Sequence, residues 1–173
     1  MIDFEIRPYG ALDAPGVSLV VEAAFGTRGE VDLIETLRSD GDMVCEFVAA
    51  TPTQVVGHIA FSQLQLKGDH PLRAAALAPL AVAPVHQRSG VGQALTRFAL
   101  MELRARGEDV VVVLGHPNYY RRFGFSSLLA KLLDAPYAGE AFMALELAPG
   151  ALGGSRWNVT YARAFSRPST RRS

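Results

Sequence analysis

Between Ala78 and Leu95 the chain reads APLAVAPVHQRSGVGQAL: a proline-interrupted apolar strand, a short loop, two alternating glycines and the first turns of an amphipathic helix. Pro79 has no N–H to give a ladder, so it predicts a bulge or a break in pairing within a strand over 74–82. Beyond the loop 83–89, Val91, Leu95, Phe98 or Ala99, and Leu103 recur at three- and four-residue steps, which predicts a helix stopped near Gly107. A helix start leaves about four backbone N–H groups without partners and carries roughly half a positive charge. Gly90 and Gly92, having no Cβ, let an anion reach those donors. The segment therefore predicts a pyrophosphate held by backbone amides, with Arg88 adding charge at the rim.

Around this segment the periodicity predicts an α/β (α+β) domain. Ile2, Phe4 and Ile6 alternate with charged residues as in a half-buried strand, and apolar positions over 12–25 and 30–38 recur at helical spacing. Residues 44–50 and 55–66 read as two strands flanking the hairpin connection Thr51-Pro52-Thr53-Gln54. The β-branched run 110–114 has the composition of a central strand buried on both faces, and Pro117 suits the first turn of a short helix over 117–122. Strands are expected over 142–147 and 159–161. The Ser-, Arg- and Thr-rich residues 166–173 are expected to be disordered.

At 173 residues and 49% hydrophobic content, the chain has material for one domain with a continuous core. Seventeen basic and seventeen acidic side chains cancel, so no whole-molecule field draws it to nucleic acid or to an anionic membrane surface. No apolar run approaches the roughly 20 residues that span a bilayer, so a cytoplasmic protein is expected. Cys45 is the one cysteine, lies in an apolar run and reads as core. The histidines show no metal spacing, so no metal is expected.

Of two nucleotide-binding readings of the glycines, a Rossmann-type nucleotide-binding domain ranks second and a Walker loop is excluded. A Rossmann fingerprint wants a third glycine and an acid ending the next strand, whereas Glu108 and Asp109 precede the strand 110–114. A Walker loop needs Gly-Lys-Ser or Gly-Lys-Thr, which does not occur.

The run Gln87-Arg88-Ser89-Gly90-Val91-Gly92 resembles the coenzyme A signature of the GNAT superfamily, and Tyr119-Tyr120-Arg121-Arg122-Phe123-Gly124-Phe125 resembles its downstream tyrosine, three residues, Gly-Phe element. Pro79-Leu80-Ala81-Val82 with Pro84 is similar to the strand and loop that lead into the first motif. The resemblance covers about residues 2–147 and implies the GNAT fold, a mixed, mostly antiparallel sheet flanked by helices and splayed between the strands 74–82 and 110–114. It implies one acetyltransferase domain over 1–149, with 150–165 as a C-terminal strand extension of it.

The implied activity is acetyl transfer from acetyl-coenzyme A to a primary amine of a small molecule or peptide, with neither nucleic acid nor membrane as partner; a homodimer is compatible with it. Leu80, Ala81 and Val82 would meet the pantetheine arm, and Gln87, Arg88, Ser89, Gly90, Val91, Gly92 and Gln93 the pyrophosphate. Tyr120 would be the general acid that protonates the departing thiolate, with Tyr119 a packing neighbour. Asn118 stands too close to Tyr120 for the cofactor asparagine common in the family. The acceptor would meet Phe25, Glu30, Leu33 and the hairpin from Gln63 to His70. His58 is an acceptor-side or proton-accepting residue, or a structural histidine within its strand. A catalytically idle coenzyme A-binding module is the alternative of another class.

Overall fold

The structure, a computed structural model, describes residues 1–166. The order is β1 (Glu5–Pro8), α1 (Ala14–Phe25), α2 (Gly29–Asp40), β2 (Met43–Ala50), β3 (Val55–Lys67), β4 (Ala74–Val82), α3 (Val91–Ala105), β5 (Val110–Leu114), α4 (Pro117–Tyr120), α5 (Ser127–Ala130), β6 (Leu133–Asp134), β7 (Phe142–Glu146) and β8 (Trp157–Tyr161). The sheet runs β1-β2-β3-β4-β5-β7, with β8 joined to the far part of β3 and β6 to β8. Pairing is antiparallel except for β4 with β5 and β6 with β8.

Alternation sorts the side chains onto two faces. Cys45, Phe47 and Ala49 of β2 join the core under α3, whereas Val48 and Ala81 pack with Val17, Val20, Val31 and Ile34 of α1 and α2. α3 presses close because Gly57 carries no side chain: a Cβ there would stand 2.8 Å from Leu95 Cδ1 and 2.9 Å from Val91 Cγ1.

Several boundaries differ from the sequence expectations. Ile2 and Phe4 pack against the core, but ladder pairing starts only at Glu5 opposite Ala50. The first helix begins at Ala14, after a 3-10 turn at Ala11–Asp13, because Pro15 suits a first helical turn and Arg7 clamps Asp13 at 2.7 Å. The short elements α5 and β6 were not foreseen, being too brief to show a period. Within 150–165, Trp157–Tyr161 forms β8 on β3, and a 3-10 turn spans Arg163–Ser166. The disorder expected for 166–173 concerns residues that, Ser166 apart, lie outside the described ones.

Candidate active site

β4 has two unlike halves. From Ala74 to Leu77 it pairs with β5 on one side and β3 on the other. At Ala78 and Pro79 the ladder to β3 shifts, so that these two residues oppose Ala60 alone, which is the bulge predicted from the proline. Beyond it β4 keeps β3 but has no pairing to β5. Ala83 N–H donates to Val56 O across β3 at 2.9 Å. Backbone direction alternates along a strand, so the polar groups of Val82 and Leu80 point the other way, into the gap. From that side Gln87 Nε2 donates to Val82 O at 3.1 Å.

The gap opens into a cleft of about 1120 Å³ that passes from the α3 side of the sheet to the α1–α2 side. Its α3 wall is the start of that helix. Gly90 takes φ +91°, a left-handed conformation that admits glycine readily, and Arg88 before it takes φ +60°. The first helical hydrogen bond of the turn runs from Ala94 N–H to Gly90 O, so the amides of Val91, Gly92 and Gln93 are directed out of the helix end. A side chain on Gly92 would fill the cradle, since its Cβ would meet Tyr119 Oη at 3.0 Å and Val82 Cγ2 at 3.4 Å. These donors and the absent Cβ suit a pyrophosphate joined to an extended arm along Leu80 and Val82.

Across the gap, α4 brings both tyrosines to the cleft. Tyr120 is buried, its ring edge-on to Tyr119 at 5.0 Å and to Phe125 at 5.7 Å. Gly115 makes room for it: a Cβ there would stand 2.5 Å from Tyr120 Cε2. Burial pushes the Tyr120 phenol above its ordinary value, and neighbouring Tyr119 adds to the effect. The hydroxyl is therefore held protonated at neutral pH. Arg122 stacks over the Tyr119 ring at 5.0 Å and joins Arg88 among the cleft residues.

The anticipated residues do not all reach the cleft. Leu80, Val82, Gln87, Arg88, Gly90, Gly92, Gln93 and Tyr120 line it, as do Phe25, Glu30 and Leu33 from the other face. Ala81 instead packs under α1 and α2, Val91 is buried against β3, and Ser89 Oγ hydrogen-bonds His86 O. Gln63 to His70 lies elsewhere, because β3 leaves β2 and pairs with β8 over Leu64–Lys67. Asn118, set aside above as a cofactor residue, and its neighbour His116 also form part of the cleft wall. His116 caps the start of α4, and Asn118 lies in its single turn.

His58 is fully buried and is not a cleft residue; its Nε2 lies 2.8 Å from Glu46 Oε1. Arg38 grips the same carboxylate through Nη2 at 2.7 Å and Nε at 3.0 Å, and stacks on Tyr9 at 4.0 Å. Burial pushes His58 below its ordinary value despite the carboxylate, so we take it as neutral, with Nε2–H donating to Glu46. Burial raises Glu46, but the hydrogen bonds from His58 and Arg38 outweigh it and hold the carboxyl below the usual range. His58 thus joins α2 to the sheet through Glu46, and neither residue lines the cleft.

Comparison with known proteins agrees with this geometry. The family model of the acetyltransferase (GNAT) domain matches residues 5–128. YhbS of Escherichia coli, an uncharacterized N-acetyltransferase, is 34% identical over 165 residues, which is 94% of this chain and 98% of YhbS. The crystal structure of YhbS in complex with CoA superposes with a TM-score of 0.88 at 33% identity, covering 96% of this chain and 94% of that one. A GNAT family acetyltransferase from Brucella melitensis in complex with acetyl-CoA gives a TM-score of 0.79 at 32% identity, covering 94% and 98%. The chain belongs to the GNAT acetyltransferase family. It is an N-acetyltransferase.

Proposed function

We propose that this chain transfers the acetyl group of acetyl-CoA to a primary amine of a small molecule or peptide, with Tyr120 as general acid. The observation that carries the residue roles is the open half of β4: its backbone points into a gap flanked by the free amides of α3 and by a buried phenol. Bound acetyl-CoA supplies the acetyl group as a thioester. The amides at 91–93 and the Arg88 guanidinium hold the diphosphate, and the backbone of Leu80 and Val82 aligns the arm. The N–H of Val82 stabilises negative charge developing on the carbonyl oxygen. As the neutral amine forms its N–C bond and the C–S bond breaks, Tyr120 Oη would give its proton to the sulfur, which leaves as the thiol; the proton shed by the nitrogen passes to solvent, and the phenolate is reprotonated from solvent.

A phenol is suited to that step, because it stays protonated at neutral pH while a thiol has an ordinary pKa of about 8.5. A cytoplasmic site of action fits a cosubstrate of that kind; among the described residues no helix is long and apolar enough to cross a membrane. The test is thiol release from acetyl-CoA with a panel of amines, together with mass detection of an acetylated product. Amine-dependent release supports the reading. Tight binding of acetyl-CoA without release for any amine identifies an idle carrier module instead.

A further inference from the structure

The charges around the cleft are segregated. Among the described cleft residues Glu30 is the one carboxylate, and it stands on the α1–α2 side, whereas Arg88 and Arg122 lie with the α3 and α4 residues. Glu30 belongs to the first turn of α2. Thr27 Oγ1 donates to its Oε2 at 3.2 Å, and Oε1 makes no hydrogen bond to the described residues. The carboxylate is thus anchored through one oxygen and presents the other.

Its neighbours in the cleft wall are apolar. Ala24 and Phe25 end α1, Leu33 lies one turn beyond Glu30, and Phe25 keeps 42% of its surface exposed. An exposed aromatic at the lip of a concave site, with other apolar groups beside it, gains by covering the apolar part of a ligand. Arg28, close by in the chain, is engaged by Glu22 at 3.1 Å and Asp32 at 4.0 Å and is not a cleft residue. This end of the cleft therefore offers one anion, an apolar wall and no cation for an acidic group on the acceptor.

We propose that Ala24, Phe25, Glu30 and Leu33 form the acceptor subsite and that it takes a monoamine carried on an apolar aliphatic or aromatic body. Glu30 Oε1 receives the ammonium, which loses one proton to solvent and stays hydrogen-bonded there as the neutral amine before it attacks, and the body covers Phe25 and Leu33. A carboxylate on the acceptor meets Glu30 with nothing to neutralise it, so free amino acids are disfavoured. Polyamines bring further charges for which the wall has no partner. The proposal rests on the acetyltransferase reading above, and its test reads binding, which separates the two.

The experiment is calorimetric titration of the CoA-loaded protein with 2-phenylethylamine, hexylamine, spermidine and phenylalanine, in the wild type and in Glu30→Gln. The two monoamines bind the wild type, while phenylalanine, with the same ring and ammonium plus a carboxylate, and spermidine each bind at least about tenfold more weakly. Glu30→Gln loses at least about tenfold in affinity for 2-phenylethylamine, the loss expected for one charge-assisted hydrogen bond, and keeps its CoA affinity and melting temperature. Equal binding of 2-phenylethylamine by both proteins, equal binding of phenylalanine, or no amine binding at all overturns the assignment. If the monoamines bind through Glu30 but release no thiol from acetyl-CoA, the subsite stands and the acetyltransferase reading fails.

Discussion

The two halves of β4 share one strand and one apolar composition, yet they do opposite things. Ala74 to Leu77 is closed, hydrogen-bonded to β3 and β5, with side chains buried on both faces. Ala78 to Val82 is open on one side, and all of its residues except Ala81 line a cleft. In the closed half the backbone is consumed by the sheet and contributes stability. In the open half the same groups are left for a ligand. The difference turns on the bulge at Ala78 and Pro79, which parts the strand from β5 without taking it off β3. A binding surface can thus be made by withdrawing a partner rather than by adding a side chain.

The largest effect should fall in the open half. Tyr120→Phe keeps the ring packing and removes the proton donor, so kcat falls by about 10²–10⁴ while acetyl-CoA affinity and the melting temperature hold. Steady-state kinetics beside calorimetric titration measure both. If kcat is unchanged, Tyr120 is a packing residue and the two halves of β4 differ only in binding. The mirror experiment is Val112→Ala, in the strand that closes the lower half opposite Ala76. It removes buried methyl groups from a fully buried site and should cost about 2 kcal/mol, or a melting temperature lower by roughly 4–8 °C, with kcat preserved. A matching loss of kcat would mean that the halves are mechanically coupled.

Gly57→Ala tests the boundary, because Gly57 pairs with Val82 and supports α3. Its Cβ would collide with Leu95 and Val91, so a destabilisation of about 1–3 kcal/mol is expected, together with weaker acetyl-CoA binding as the first turn of α3 is pushed outward. Chemical denaturation and titration on the same sample decide whether the two losses travel together.

The smallest effect is a pH dependence of stability at the Arg38–Glu46–His58 cluster. His58 is held below its ordinary 6.5 in the fold, so the unfolded chain binds the extra proton first and stability falls as pH drops below about 6.5. Glu46 is also held low, so its contribution is present above the ordinary carboxylate value of 4.5 and is lost on further acidification. Denaturant midpoints between pH 7.5 and 5 should decline in the wild type, and His58→Asn should flatten that decline. An unchanged profile in His58→Asn would place the acid sensitivity elsewhere.

The sequence by itself determined the elements and the motifs. The apolar run over 44–50 beside its turn, the three- and four-residue steps from Val91 to Leu103, and the unbroken valines at 110–113 are local patterns, and each became the expected strand or helix. Pro79 announced the bulge for an equally local reason, the missing N–H. Gly90 and Gly92 pointed to a helix start able to receive an anion. What only the tertiary structure decided is which residues meet across the gap. Ala81 reads like its neighbours Leu80 and Val82, but strand alternation turns it under α1 and α2. His58 and Glu46, twelve residues apart, become partners through the register of β2 and β3, away from the cleft wall. Gly92 proved to leave room for the Tyr119 hydroxyl, and Gly115 to admit the Tyr120 ring. Glu30 became the lone carboxylate of the described cleft wall only when α2 was laid over the open end of β4. These are long-range contacts, set by packing between elements distant in the chain, and no local periodicity records them.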